Sequence, residues 1–111
     1  MAWFRRRPKT APTPSNRPTK KDVEVATAHL RNFVTTRVGV EMYVEPQTSV
    51  TPTTAVLIAA TGEWTRRRVS GPQAAGDLAR ELGIPVYDVQ QTGYPGRMRE
   101  WTSHQRKQQQ G

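Results

Sequence analysis

Nine prolines punctuate this chain of 111 residues, and their placement limits what it can fold into. Each proline removes a backbone donor and fixes one dihedral, so none fits the interior of a helix or of a central strand. Four of them, at positions 8, 12, 14 and 18, fall in the stretch RRRPKTAPTPSNRPTK. Almost nothing there is apolar enough to bury. Residues 1–21 therefore read as a disordered basic arm with Trp3 and Phe4 near its tip. The other five, Pro46, Pro52, Pro72, Pro85 and Pro95, divide the rest into short windows.

Each window carries a recognisable period. Val23, Ala26, Leu30, Phe33, Val34 and Val38 recur at spacings of three and four, which is one stripe of a helix. Asp22 suits its N-terminus and Gly39 its C-terminal cap. Val40 to Glu45 alternates apolar and polar as a half-buried strand does, and Pro46 ends it. Thr54 to Ala60 is nearly all apolar and reads as a central strand. Thr61-Gly62-Glu63 is a tight turn, and Trp64 to Val69 returns antiparallel. Ser70 and Gln73 have capping-box spacing, and Pro72 fits the first turn of a second helix. Ala75, Leu78, Ala79 and Leu82 form its stripe, and Gly83 ends it. Ile84 to Val89 is a short last strand that Pro85 confines to an edge. GYPGRMREW, residues 93–101, reads as a turn followed by one helical turn, and residues 102–111 as a disordered polar tail.

The expected architecture is α+β, in the order α-β-β-β-α-β. An antiparallel three-stranded meander gains one edge strand, both helices cover one face, and the basic termini are disordered. Residues 22–101 form the single domain. With hydrophobic residues at 34%, its core is modest.

Composition excludes several chemistries. The chain has no cysteine, which removes disulfides, thiolate metal sites and thiol catalysis. Its two histidines, His29 and His104, have no partner at ligand spacing, so no metal site and no cofactor are expected. No apolar run approaches the roughly 20 residues of a membrane span. The start MAWFRRRPK lacks a secretory apolar segment, and a cytoplasmic protein is expected.

The formal net charge is +8, and it is unevenly spread. Residues 1–21 hold seven basic residues and no acid. Residues 22–96 hold six arginines against eight acids. Attraction for polyanions would come from the ends and from one internal run, Arg66-Arg67-Arg68, in the stretch GEWTRRRV.

Strand alternation assigns faces to that run. Trp64, Arg66 and Arg68 share a face with Glu41, Tyr43 and Glu45, opposite the helices, whereas Arg67 lies toward the helix side. Two readings follow. In the first, the arginines pair with Glu41 and Glu45 across small residues such as Ala55 or Ala59 and keep the face solvated. In the second, the guanidinium groups grip phosphates and Trp64 offers a stacking platform. Arg5, Arg6, Arg7 and Lys9 would then add salt-sensitive attraction for RNA or DNA. Tyr94, Arg97, Arg99 and Trp101 form a dense group of interaction-type residues, suited either to docking a protein partner or to packing over the sheet.

The α-β-β-β-α order resembles that of double-stranded RNA-binding domains. Those open their second helix with lysines, and Ser70 to Ala75 has none. The full order also resembles restriction-endonuclease-like nucleases. Those need an acid-x-lysine on the third strand, where this chain has Glu63-Trp64-Thr65. The segments MAWFRRR, VGVEMYVEP, GEWTRRRV, LGIPVYDV and GYPGRMREW are similar to a family of small uncharacterised actinobacterial proteins, often labelled oxidoreductases. No nucleotide-binding glycine motif in this chain supplies a physical basis for that label. The expectation is a non-enzymatic protein that binds an anionic macromolecule, RNA or DNA, without sequence preference. The alternatives are a protein-interaction module and a member of an oxidoreductase-labelled family.

Overall fold

A computed structural model describes residues 19–110. The readings placed on residues 1–18 lie outside that range. The order is α1 (Lys20–Thr36), β1 (Glu41–Glu45), β2 (Thr54–Ile58), β3 (Trp64–Arg68), α2 (Pro72–Leu82), β4 (Val86–Asp88), α3 (Val89–Thr92) and α4 (Gly96–Gln110).

α1 begins slightly before Asp22. Thr19 is the N-cap, and its hydroxyl accepts from the Asp22 amide at 3.0 Å. The Asp22 carboxylate accepts in return from the Thr19 amide at 3.1 Å. Asp22 is therefore the far member of a capping box and not the cap itself. The helix ends at Thr36, so Val38 falls beyond its stripe and is 81% exposed. At the other helix the expected capping box does not form. Gly71 is the N-cap of α2 and Pro72 opens the helix, which puts Ser70 one residue too early to cap. Gly83 closes α2 at φ +72°, a left-handed conformation that glycine adopts without strain.

The four strands lie in the order β3-β2-β1-β4. β1 and β3 flank β2 antiparallel, and β4 joins the other side of β1 in parallel. β4 is an edge, and pairing starts at Val86, as Pro85 requires. α1 and α2 cover one face. Leu30 and Phe33 from α1 and Ala75, Leu78 and Ala79 from α2 pack against Met42, Val44, Ala55 and Leu57 of the sheet. Fully buried side chains such as Leu30, Met42 and Leu57 each contribute about 1.5–3 kcal/mol of transfer free energy.

The opposite face is also covered, which the sequence reading does not anticipate. The chain after Gly93 does not stop at one helical turn; it continues as α4 to Gln110, through the segment read as a polar tail. Met98 of α4 packs on Tyr43, Val56 and Ile58, with Trp64 at the margin. The helix carries only two large apolar residues, Met98 and Trp101, so it shows little amphipathic period in the sequence. Its docking depends on Gly62 in the β2–β3 turn. Gly62 is buried with φ +96°. A Cβ there would lie 2.1 Å from the Arg97 carbonyl oxygen and 2.8 Å from the Trp101 Cβ.

Gly62→Ala should therefore both strain the turn and push α4 off the sheet. The expected loss is about 2 kcal/mol or more in urea unfolding, with increased amide exchange in α4. Unchanged stability and exchange would show that α4 does not depend on this approach.

Candidate functional site

Residue alternation places the arginines as expected. Trp64 opposes Ile58, Arg66 opposes Val56 and Arg68 opposes Thr54. Thr54, Val56 and Ile58 in turn oppose Glu45, Tyr43 and Glu41. All nine lie on the face away from α1 and α2. The residue between Arg66 and its acid is Thr54, because Ala55 and Ala59 point into the core under the helices.

Glu45 organises this face. Arg66 donates to it twice, Nε to Oε1 at 2.8 Å and Nη2 to Oε2 at 2.9 Å. The hydroxyls of Thr54 and Tyr94 also donate to the same carboxylate. The Glu45 side chain is 19% exposed and Arg66 is 43% exposed. Burial pushes the Glu45 carboxyl up, but the hydrogen bonds from Arg66, Thr54 and Tyr94 outweigh it and hold the group below the usual carboxylate range. The same bond to Glu45 raises the Arg66 guanidinium despite partial burial. Burial, then the hydrogen bond to the Glu45 charge, raises the Tyr94 phenol. Arg66 also lies 5.2 Å from the Trp64 ring centroid, within cation–π range.

Trp64 is not an open platform. Its indole Nε1 donates to Thr102 Oγ1 of α4 at 3.0 Å, and its ring borders the Tyr43–Val56–Ile58–Met98 cluster. Arg97 is engaged as well. Its Nη2 donates to Glu41 at 2.8 Å and its Nε to the Ala59 carbonyl at 2.9 Å. The Arg97 hydrogen bond, assisted by Tyr43, lowers the Glu41 carboxyl against its partial burial. Trp101 packs at Gly62. Of the interaction-type group, Arg99 faces solvent and Tyr94 keeps 37% of its surface exposed.

Arg67 and Arg68 are placed differently. Both are exposed, at the sheet edge that β3 forms. Arg67 Nη1 donates to the Arg66 carbonyl at 2.7 Å, which leans it along the edge. Nearby, His29 Nε2 hydrogen-bonds with Thr65 Oγ1 at 2.8 Å. Desolvation, then the charges of Arg67 and Arg37, lower the His29 pKa and favour the neutral ring at neutral pH. Between β3 and the start of α1 runs a groove of about 470 Å³, lined by Arg66, Arg67 and Arg68 on one side and by Asp22, Val25 and Ala26 on the other. A second groove, of about 530 Å³, shares Thr54, Arg66 and Arg68 with the first and continues to Gln90 and Tyr94.

Sequence reasoning singled out Trp64, Arg66 and Arg68 as a contact face and left Arg67 aside. The fold brings Arg67 and Arg68 to an open groove and uses Trp64 and Arg66 to hold α4 and the Tyr94 strap. The groove partners on α1 and the loop wall near Tyr94 carry no sequence signal. Arg5, Arg6, Arg7 and Lys9 lie outside the described residues. Among the described residues, no three of His, Cys, Asp and Glu cluster as metal ligands would, and no helix is long and apolar enough to cross a membrane. No family model, curated protein or solved structure matches the chain.

The Glu45 node makes stability depend on acid. A carboxyl whose folded pKa is depressed stabilises the fold above its unfolded value, about 4.3. That contribution is lost as pH falls from there through the lower folded value. Glu45→Gln should flatten this part of the pH–stability curve and cost about 1–2 kcal/mol at pH 7, because Arg66 and Tyr94 lose their charged acceptor. Urea melts of both proteins between pH 3 and pH 7 check this. Parallel curves would remove Glu45 from the account.

Proposed function

We propose that the protein binds an anionic macromolecule, RNA or DNA, along the β3 edge. The observation that carries this reading is the groove between β3 and α1. One of its walls holds three consecutive arginines. The other is the first turns of α1, the helix that the basic segment 1–21 leads into. Among the described residues, the arginine run and the start of α1, far apart in the chain, thus border one groove. Lys20 and Lys21, exposed at the start of α1, add to the same end.

The charges divide by role. Arg66 is neutralised by Glu45 and serves mainly to support the strand. Arg67 and Arg68 are exposed on that rigid support, where guanidinium groups contact phosphate oxygens at modest desolvation cost. Asp22 is the one acid among the described lining residues; its hydrogen bonds with Thr19, and to a lesser degree the charge of Arg68, hold its carboxyl below the usual range. Such contacts orient a phosphate backbone without reading its sequence. Docking a protein through Tyr94, Arg97, Arg99 and Trp101 draws less support, because Arg97 and Trp101 are used to seat α4.

The test is fluorescence anisotropy of labelled RNA and DNA oligomers at several salt concentrations. Three full-length proteins are compared: the parent, Arg67→Ala with Arg68→Ala, and Arg5, Arg6, Arg7 and Lys9 all changed to Ser. Each lost phosphate contact should reduce the log–log salt slope by about 0.7 on single strands and about 0.9 on duplex. The edge pair should therefore flatten the slope by up to about 1.4 on single strands and weaken binding at every salt level. Binding that survives the edge substitutions intact would sink the β3 site.

A further inference from the structure

The two grooves form one track, and its far end is chemically unlike its near end. They meet over Thr54, Arg66 and Arg68, at the end of the sheet where β2 begins and β3 finishes. Beyond that point the guanidinium groups stop. The lining there is Thr48, Thr51, Gln90 and Tyr94, with Pro46 and Pro52 as stiff walls. Hydroxyls and an amide can hydrogen-bond base edges as well as the backbone, and a partly exposed aromatic ring can stack on a base.

We infer that this track takes single-stranded nucleic acid, with the backbone on Arg67 and Arg68 and an unpaired base stacked on Tyr94. The inference rests on the β3-edge reading above and extends it to the substrate class and to a base-contacting residue. Three observations support it. The Tyr94 hydroxyl is fixed by Glu45, so the ring is oriented before any ligand arrives and little rotamer entropy is lost on stacking. Tyr94 nevertheless keeps 37% of its surface exposed. Gln90, at the start of α3, donates its backbone N–H to the Asp88 carboxylate at 2.8 Å, and its exposed side chain lines the same groove as Tyr94. Glu45 lies in the track but is matched by Arg66, so it does not repel a phosphate as a lone carboxylate would.

A duplex cannot use such a site, because its bases are stacked and paired out of reach. The track also turns around the end of the sheet, a path open to a flexible strand. A base has a π-face whatever its identity, so stacking here selects strandedness over sequence.

The experiment measures binding of full-length protein to oligonucleotides of about eight nucleotides, single-stranded RNA, single-stranded DNA and the matching DNA duplex, at one moderate salt level. Single strands should bind more tightly than the duplex. Tyr94→Leu should weaken single-strand binding about tenfold and leave the duplex unchanged. Tyr94→Phe keeps the ring but loses its anchoring hydroxyl, so its single-strand affinity should fall between those of the parent and Tyr94→Leu. Thr51 is exposed on the far wall, so Thr51→Glu tests the track without touching the Glu45 node. It should also weaken single-strand binding alone. If duplex and single strand bind equally and neither Tyr94→Leu nor Thr51→Glu has an effect, this inference is overturned while the β3 edge stands. If no oligonucleotide binds even at low salt, the β3-edge reading fails and takes the track with it.

Discussion

The bidentate bond between Arg66 and Glu45 ties together most of what distinguishes this fold. It spans from β3 to β1 across Thr54 of β2, so one ion pair joins the three antiparallel strands on a single face. Tyr94 then brings the connection between α3 and α4 to the same carboxylate. Four donors on one acceptor satisfy the lone pairs of a carboxylate that is mostly out of water. Each bond by itself is modest, and their value lies in fixing geometry. With the pair in place, the strap that leads into α4 has one position.

α4 shows how a polar helix can cover a sheet. Met98 and Trp101 cannot supply the apolar stripe that α1 and α2 use. Directed bonds supplement them: Arg97 to Glu41 and to the hairpin carbonyls, and Thr102 to the Trp64 indole. Directed bonds need close approach, and Gly62 allows the helix backbone to come within reach of the turn. The second layer thus rests on geometry more than on area, and it is the part of the fold most open to disruption by a single methyl group.

The arginine run is divided by this arrangement. Consecutive residues on a strand face opposite ways, so three arginines in a row cannot all do the same thing. Arg66 is drawn into the Glu45 node. Arg67 leans along the sheet edge beside α1, and Arg68 closes the rows where the two grooves meet. The result is a structural cation that stiffens the strand carrying two exposed ones, a sensible base for contacts with a flexible polyanion.

Much of this was open to local reasoning. Strand alternation assigned Glu41, Tyr43, Glu45, Trp64, Arg66 and Arg68 to one face, because the period of two follows from covalent geometry alone. The same holds for the stripes of α1 and α2, the left-handed close at Gly83 and the late start of β4 after Pro85. Two local signals gave the wrong atom. Asp22 and Ser70 both carry cap chemistry, but the boundary shifted by a residue or more in each case, and caps depend on single positions. What the sequence by itself determined was which side of the sheet each side chain faces. Only the tertiary structure decided that this side is covered, that Arg66 is already neutralised, and that Arg67 and Arg68 share a groove with Asp22, Val25 and Ala26 of α1. Those outcomes need Tyr94 to return to Glu45 across 49 residues and Arg97 to reach Glu41 across 56. No local period encodes a contact of that range, because it forms only after the strands have set its two ends side by side.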